Sequence, residues 1–277
     1  ARPCRVGGAL PAPPWGGIWR LARVRVLPRL LLNSRARLGS LGMQPPPPAT
    51  PPHPTASPAY LPPNLGYPGL RLVHEYPPVY AVDGFLSADE ADRLITAAQG
   101  AMTRSPVVGE GAGVVSNLRT STTCFLARED VPTVVERVSA LLSKPPEELE
   151  LVQVGHYLPG QEYKAHFDAF DLATEDGRRF ASNGGQRVGT VLVYLNSLPE
   201  GGGGCTVFPN LDLEIRPEKG KAILFFPATL DGTLDTQALH MATPPAGAHE
   251  KWVSQVWIRQ RACTGVPSKR LLPEEQV

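Results

Sequence analysis

The chain has 277 residues, which is enough for one large domain or two small ones. Its formal net charge of +1 indicates no strongly acidic or basic partner, and a nucleic-acid-binding protein would usually be more basic over its folded part. No stretch approaches the roughly 20 apolar residues that span a bilayer. The four cysteines form no CxxC pair, which argues against a zinc ribbon, while one disulfide bond among the three inner cysteines stays open.

The N-terminal part of the chain has an unusual charge distribution. No acidic residue precedes Glu75, and eight arginines lie between Arg2 and Arg37. An Arg-rich, acid-free N-terminus is typical of an organelle transit peptide. The alternative is that the native protein starts at Met43, so that residues 1–42 are not part of it.

A proline-rich tract, Pro45–Pro63, follows this segment. Proline fixes φ and donates no backbone hydrogen bond, which predicts an extended polyproline II linker or tail outside the core. We therefore expect a targeting-like and proline-rich segment at residues 1–71, one folded domain at residues 72–263, and a C-terminal tail at residues 264–277.

Two helices are predicted at the start of the domain. Ser87 and Glu90 have the spacing of a capping box, which predicts a helix over residues 88–99. A second helix is predicted over residues 131–143, where Pro132 suits the first helical position and an apolar stripe follows.

Short segments rich in Val, Ile and aromatic residues dominate the second half of the chain. They are LELVQVGHYL, QRVGTVLVYLN, CTVFPNLDLEI, KAILFFPA and KWVSQVWIR. Pro, Gly and Asn separate them, which predicts an antiparallel sandwich or barrel backed by the helices. The long polar segment Asp171–Gly185 is typical of a lid loop.

Two of the six histidines and one aspartate form a candidate metal site. In a β-strand His166 and Asp168 point to the same face, and Phe167 points to the other, where it would pack beneath the site. The third ligand must come from another strand, and His240 is the best candidate. Two histidines and one carboxylate make the facial triad that suits non-haem Fe(II). Alone, His-x-Asp is a weak signal, because a strand histidine is more often an ordinary polar residue.

A lysine beyond the third ligand strengthens the iron hypothesis. Lys251 begins a hydrophobic strand-like segment, next to Trp252. A 2-oxoglutarate cosubstrate would bind iron through its keto acid end, and its distal carboxylate would need a cation if it were buried. The alternative is a solvated surface lysine, which is the usual role of this residue type.

From about Val79 to Arg259 the sequence resembles the prolyl 4-hydroxylases, and more closely the small single-chain plant and algal type than the larger subunit of the collagen enzyme. The resemblance is carried by NLRTSTTCFLARED, QVGHYLPGQEYKAHFDAF, GGQRVGTVLVYLNSLPEGGGGCTVFP, IRPEKGKAILFFP, DGTLDTQALHMATP and EKWVSQVWIR. It implies an α+β fold whose double-stranded β-helix, or jelly-roll, core is flanked by N-terminal helices.

The resemblance also implies three sets of site residues. They are the iron ligands His166, Asp168 and His240, the 2-oxoglutarate-binding residues Lys251, Tyr157 and Thr206, and the peptide-contacting residues Tyr163, Arg187 and Trp257. The implied reaction is hydroxylation of peptidyl proline in a proline-rich substrate, with Fe(II), 2-oxoglutarate, O2 and L-ascorbate. The family would place the enzyme in the endoplasmic reticulum, whereas the N-terminus would place it in another organelle.

Two features depart from the pattern of the family. Cys205 occupies a position that is usually acidic, and the interval from His240 to Lys251 is one residue longer than is common. The extra residue fits the loop at residues 244–247, so neither departure removes a ligand. Two alternatives remain: an Fe(II)/2-oxoglutarate oxygenase that acts on another side chain or a small molecule, and an inactive jelly-roll binding protein.

Overall fold

The computed structural model describes residues 59–107, 114–115 and 117–264. The Arg-rich N-terminus, most of the proline-rich tract and the tail beyond Thr264 lie outside these residues.

The described residues form fourteen β-strands and three α-helices. The strands are β1 (Leu70–His74), β2 (Val79–Val82), β3 (Thr103–Arg104), β4 (Pro106–Val107), β5 (Val114–Val115), β6 (Thr122–Leu126), β7 (Val152–Tyr157), β8 (Tyr163–His166), β9 (Arg187–Tyr194), β10 (Thr206–Phe208), β11 (Leu213–Ile215), β12 (Ala222–Phe225), β13 (His240–Ala242) and β14 (Lys251–Arg259). The helices are α1 (Ala88–Gln99), α2 (Pro132–Leu142) and α3 (Glu175–Ser182). Short 3-10 helices cover Arg128–Asp130, Pro146–Glu148, Pro209–Leu211 and Thr236–Ala238.

The strands assemble into two main antiparallel sheets. The major sheet has the order β1-β2-β12-β9-β14-β7-β6-β3, the minor sheet has the order β11-β10-β13-β8, and β4 pairs with β5. Non-consecutive neighbours in both sheets mean that the chain crosses repeatedly between them, as in a jelly roll. The predicted double-stranded β-helix fold is confirmed.

Alternation along the strands divides the interior into two apolar clusters. In β9, Leu192 and Tyr194 join a cluster between the two sheets, which also holds Phe208 and Ile215 from the minor sheet. The intervening Val193 faces the opposite way, into a second cluster with the helices. Because successive strand side chains alternate in direction, one buried strand serves both clusters.

Helices α1 and α2 cover the outer face of the major sheet, and each begins at the residues that the sequence predicted. The Ser87 hydroxyl accepts from the Glu90 backbone N–H, and the Glu90 carboxylate accepts from the Ser87 N–H, which completes the capping box. Pro132 opens α2, and residues such as Val138 bury the apolar stripe. Both helices precede the strands of the minor sheet.

The segment Asp171–Gly185, expected as a lid loop, contains α3 instead. Thr174 caps this helix by accepting from the Gly177 N–H, and Phe180 is buried against Phe170 with ring centroids 5.7 Å apart. A side chain at position 177 would collide with the Asp171 carbonyl oxygen, so the chain needs glycine there. The helix has only eight residues and few apolar ones, so the sequence of this segment indicated a loop.

The folded part also begins earlier than the boundary predicted at residue 72. Leu61, only 4% exposed, belongs to the cluster beneath the helices, and β1 starts at Leu70. The end of the proline-rich tract therefore packs on the domain. The rest of the predicted linker, before Ala59, lies outside the described residues.

Candidate metal and cosubstrate site

The three predicted metal ligands come together between the sheets. His166 at the end of β8 lies directly across from His240 at the start of β13. Asp168 lies 3.8 Å from His166 (Oδ1 to Nε2) and 3.7 Å from His240 (Oδ2 to Nε2). One ligand atom from each residue lies within 4.8 Å of the other two. Two imidazoles and one carboxylate around one point fit the facial triad of non-haem Fe(II).

Backbone carbonyl groups orient both imidazoles. His166 Nδ1 lies 2.8 Å from the Lys164 carbonyl oxygen, and His240 Nδ1 lies 3.1 Å from the Ala238 carbonyl oxygen. A proton on Nδ1 satisfies each contact and leaves the Nε2 lone pair for a metal. Burial, reinforced by the neighbouring His240, lowers the pKa of His166 to about 3, so this ring is neutral and able to bind a cation at ordinary pH.

Strand β9 holds the Asp168 side of the site. The Thr190 hydroxyl donates to Asp168 Oδ2 at 2.8 Å, and an Arg187 N–H donates to the Asp168 carbonyl oxygen at 3.3 Å. Burial opposes ionisation of Asp168, but His240, His166, Arg187 and Thr190 together outweigh it, and its pKa is lowered. The carboxylate is therefore ionised and fixed before any metal binds.

The structure corrects one detail of the predicted geometry. Asp168 lies beyond the end of β8, in the turn that follows it, and Phe167 does not pack beneath the site because it is 37% exposed. Contacts from β9, and not strand alternation, aim the carboxylate. The Gln186 side chain secures the same turn, since it donates to and accepts from the Phe170 backbone at 2.8 and 2.7 Å.

The predicted lysine is buried in the same interior. Lys251 is 0% exposed, and its Nζ has no hydrogen-bond partner among the described residues. Nζ lies 5.4 Å from the ring centroid of Tyr157 and 5.7 Å from that of Tyr194. Burial lowers the pKa of Lys251 to about 7. An ammonium group without a counterion is costly in the interior, so this pocket fits an anionic ligand.

The other two residues predicted to bind the cosubstrate are linked to this lysine, Tyr157 directly and Thr206 through Tyr194. Tyr157 on β7 is the cross-strand partner of Lys251, and buried Thr206 on β10 accepts a 2.9 Å hydrogen bond from the Tyr194 hydroxyl. Tyr157 shares an apolar cluster with Phe225, whose ring centroid lies 4.7 Å from that of His240. The lysine pocket and the triad are therefore parts of one interior.

The residues predicted to contact a peptide lie around the triad. The Tyr163 ring stacks on His166, with centroids 3.4 Å apart. Arg187 forms a two-pronged ion pair with Glu150, both contacts 2.7 Å, and its guanidinium lies 3.8 Å from the Trp257 ring centroid. These contacts of Arg187 are internal, so the structure gives it a positioning role on Asp168, and its predicted contact with a peptide stays a prediction.

Sequence patterns did not reveal several supporting residues. Thr190 occupies an ordinary strand position, where threonine is common for its β propensity alone. Arg119 is buried, donates to Gln153 at 2.9 Å, and places its guanidinium 4.8 Å from the Tyr163 ring centroid. Its only sequence signal is its place in the stretch NLRTSTTCF.

The described residues contain neither a disulfide bond nor a helix that could span a membrane. Cys124, Cys205 and Cys263 are all unpaired, so they form no disulfide bond with one another. None of the described helices is both long and apolar enough to cross a membrane.

Comparison with known proteins agrees with this geometry. The 2OG-Fe(II) oxygenase superfamily matches residues 152–259. Probable prolyl 4-hydroxylase 6 of Arabidopsis thaliana is 35% identical over 210 residues, covering 67% of this chain and 70% of that protein. Prolyl 4-hydroxylase 1 of the same plant is 34% identical over 210 residues, covering 69% and 72%.

A solved structure shows the same fold. The viral collagen prolyl hydroxylase of Paramecium Bursaria Chlorella virus-1, in complex with 2OG, is 31% identical, with a TM-score of 0.52 over 65% of this chain and 95% of that one. The fold, the His-Asp-His triad and the sequence relationship lead to one conclusion: this chain belongs to the prolyl 4-hydroxylases of the 2OG-Fe(II) oxygenase superfamily.

Proposed function

We propose that this enzyme hydroxylates proline residues in proline-rich peptides and couples that reaction to conversion of 2-oxoglutarate to succinate and CO2. The observation that carries the proposal is a group of three metal-ligand atoms that shares its interior with Lys251, whose Nζ has no hydrogen-bond partner among the described residues. A facial triad leaves positions for a keto acid and for O2, and the buried cation suits the distal carboxylate.

His166, Asp168 and His240 would hold Fe(II). Bound Fe(II), with 2-oxoglutarate and O2, supplies the oxidising chemistry that inserts oxygen into a C–H bond. The chain contributes orientation: two carbonyl groups fix the imidazole tautomers, and Thr190 fixes the carboxylate. Burial of Asp168 and His240 keeps bulk water away from the reacting atoms.

Removing the hydroxyl of Thr190 tests the orientation of Asp168. Thr190→Val keeps the shape of the side chain but leaves Asp168 Oδ2 without its 2.8 Å donor. We expect Fe(II) affinity to fall about 10- to 100-fold, as is usual for partners of metal ligands. An anaerobic Fe(II) titration measures this change. Thr123→Val is the matched control, because the buried Thr123 hydroxyl has no hydrogen-bond partner among the described residues, and an equal loss there would refute the role of Thr190.

Lys251, Tyr157 and Thr206 would bind 2-oxoglutarate. The ammonium would pair with the distal carboxylate, and the two hydroxyl groups are suitable donors to the same anion. Their burial supports this role, since a carboxylate entering the pocket would gain a full charge partner in a region of low dielectric.

Tyr163, Arg187 and Trp257 would line the groove that receives the peptide. Buried Trp257 Nε1 has no hydrogen-bond partner among the described residues, so it is suited to donate to a peptide carbonyl group. Exposed Phe167 stands between two ligands and adds an apolar surface for proline rings. A polyproline II segment is already extended, so it binds at a low entropic cost.

A peptide panel tests the substrate class. Succinate release is measured with Fe(II), ascorbate and 2-oxoglutarate on proline-rich peptides, on the same peptides with each proline replaced by alanine, and on lysine-rich peptides. We expect peptide-stimulated turnover only where proline is present, with His166→Ala as the blank. Equal stimulation by proline-free peptides would favour an oxygenase of another side chain.

The proposal also includes L-ascorbate as a cofactor and the secretory pathway as the compartment of the enzyme. Ascorbate would keep the iron reduced, so its omission should shorten the linear phase of turnover. Both assignments are supported by membership of the family. A fluorescent protein fused to the C-terminus would report the compartment, and an organelle other than the endoplasmic reticulum would support the Arg-rich N-terminus as the signal.

A further inference from the structure

The first described residues form a strap against the segment that leads to His240. We define the strap as Ala59–Leu61. The Ala59 carbonyl oxygen accepts from the Leu230 backbone N–H at 2.9 Å, and the Tyr60 hydroxyl donates to Asp235 Oδ2 at 2.6 Å. Leu61 is buried in the core. The strap is thus attached at three successive residues.

Asp235 connects the strap to a short helix. Its Oδ1 accepts from the Gln237 N–H at 2.9 Å, and its carbonyl oxygen accepts from the Ala238 N–H at 3.1 Å. These bonds start the 3-10 helix Thr236–Ala238. Because Oδ2 receives the Tyr60 phenol, one carboxylate uses both oxygens to join the strap to the helix.

The same short helix holds the imidazole of His240. Its last residue, Ala238, offers the carbonyl oxygen that lies 3.1 Å from His240 Nδ1. The position of this oxygen decides the rotation of the ring and the tautomer that leaves Nε2 free. A continuous series of contacts therefore runs from Tyr60 through Asp235 and Ala238 to His240.

We propose that Tyr60 is a positioning residue for iron: its phenol holds the Asp235 carboxylate, which fixes the short helix and thereby the direction of His240 Nε2. The inference rests on the proposed assignment of His240 to Fe(II). A bond from a phenol to a carboxylate at 2.6 Å is charge-assisted and strong. Direct partners of metal ligands change affinity about 10- to 100-fold, and Tyr60 acts through two further residues, so a change of about 3- to 10-fold is expected.

A purely structural role for Tyr60 makes a different prediction. Its ring lies 5.6 Å from Phe226 and 6.2 Å from Tyr76, measured between centroids, so packing alone could explain an aromatic residue here. Packing is kept in Tyr60→Phe, which removes only the hydroxyl. Tyr80→Phe is a matched control, because Tyr80 also contacts Phe226, with centroids 6.4 Å apart.

The test is an anaerobic Fe(II) titration of the full chain in the presence of 2-oxoglutarate, followed by the visible absorption of the complex. The variants are Tyr60→Phe, Asp235→Asn, the two combined, and Tyr80→Phe. Melting temperatures are measured without metal. We expect Tyr60→Phe to raise the apparent Kd for Fe(II) about 3- to 10-fold, and the double variant to bind no more weakly than Asp235→Asn alone.

Each other outcome overturns the inference. An unchanged Kd in Tyr60→Phe, even with a lower melting temperature, would reduce the hydroxyl to a structural role. An equal change in Tyr80→Phe, or additive effects of Tyr60→Phe and Asp235→Asn, would remove the connection through Asp235. Failure of the unmodified chain to bind Fe(II) would overturn the proposed function together with this inference, and so differs from a failure confined to Tyr60→Phe.

Discussion

His240→Ala is expected to lower Fe(II) affinity by more than about 100-fold, beyond the usual effect of losing a partner of a metal ligand. His240 is buried and supplies one of the three ligand atoms, its Nε2, which lies 3.7 Å from Asp168 Oδ2. Its loss leaves two ligands, which cannot form a facial triad. Metal content after gel filtration and anaerobic Fe(II) titration measure the affinity, and hydroxylation should fall to the blank.

A second histidine provides the control for this substitution. His74 on β1 also places Nδ1 against a backbone carbonyl, that of Pro77, at 2.8 Å, but it lies outside the triad. His74→Ala should therefore retain Fe(II) binding and turnover. Full iron affinity in His240→Ala would contradict the ligand assignment, whatever happened to activity.

Lys251→Ala is expected to raise the Kd for 2-oxoglutarate by at least about 30-fold, because truncating one partner of a buried charge pair costs about 2 kcal/mol or more. Fe(II) binding should change little, since Lys251 is not one of the grouped ligands. Anaerobic titration with 2-oxoglutarate separates the two effects. The control is Lys219→Ala, which removes a lysine whose Nζ pairs with Asp92 at 2.7 Å instead. Unaltered 2-oxoglutarate affinity in Lys251→Ala would refute the assignment.

The same lysine predicts a pH dependence. Burial lowers the pKa of Lys251 to about 7, so the free pocket loses its proton as the pH rises through that value. The distal carboxylate needs the charged form, and binding must then restore the proton. We expect 2-oxoglutarate affinity to be independent of this group below pH 7 and to fall by up to about 10-fold per pH unit above it. An affinity that is flat from pH 6 to pH 9 would show that the lysine stays charged in the free enzyme.

The sequence predicted best those features that depend on a few residues of a defined chemical type. The capping box of Ser87 and Glu90 predicted the start of α1, and a short Val-rich run bounded by Gly and Asn predicted β9. The triad was also predictable, because few residue types bind iron and they lie in recognisable stretches. Lys251 could be selected from sequence because it begins a hydrophobic strand-like segment, next to Trp252, where a solvated lysine is less expected.

Features that depend on tertiary contacts were not predictable. Phe167 was expected to pack inward, but β8 ends before it, at His166. The Asp168 carboxylate is oriented instead by side chains of β9 such as Thr190. Helix α3 has only eight residues and few apolar ones, so the polar segment around it indicated a loop. The strap at Ala59–Leu61 follows prolines that indicate a linker, and only its contacts with Leu230 and Asp235 reveal that it is part of the domain.

Hydroxylation of peptidyl proline is tested most directly by the balance between succinate and hydroxyproline in a single reaction. The enzyme is incubated with Fe(II), 2-oxoglutarate, O2 and a proline-rich peptide, succinate is quantified, and peptide fragments are weighed by mass spectrometry. We expect one hydroxyl group on a proline residue for each succinate formed above the peptide-free rate. Succinate without peptide oxidation, or oxygen placed on a residue other than proline, would contradict the proposed function.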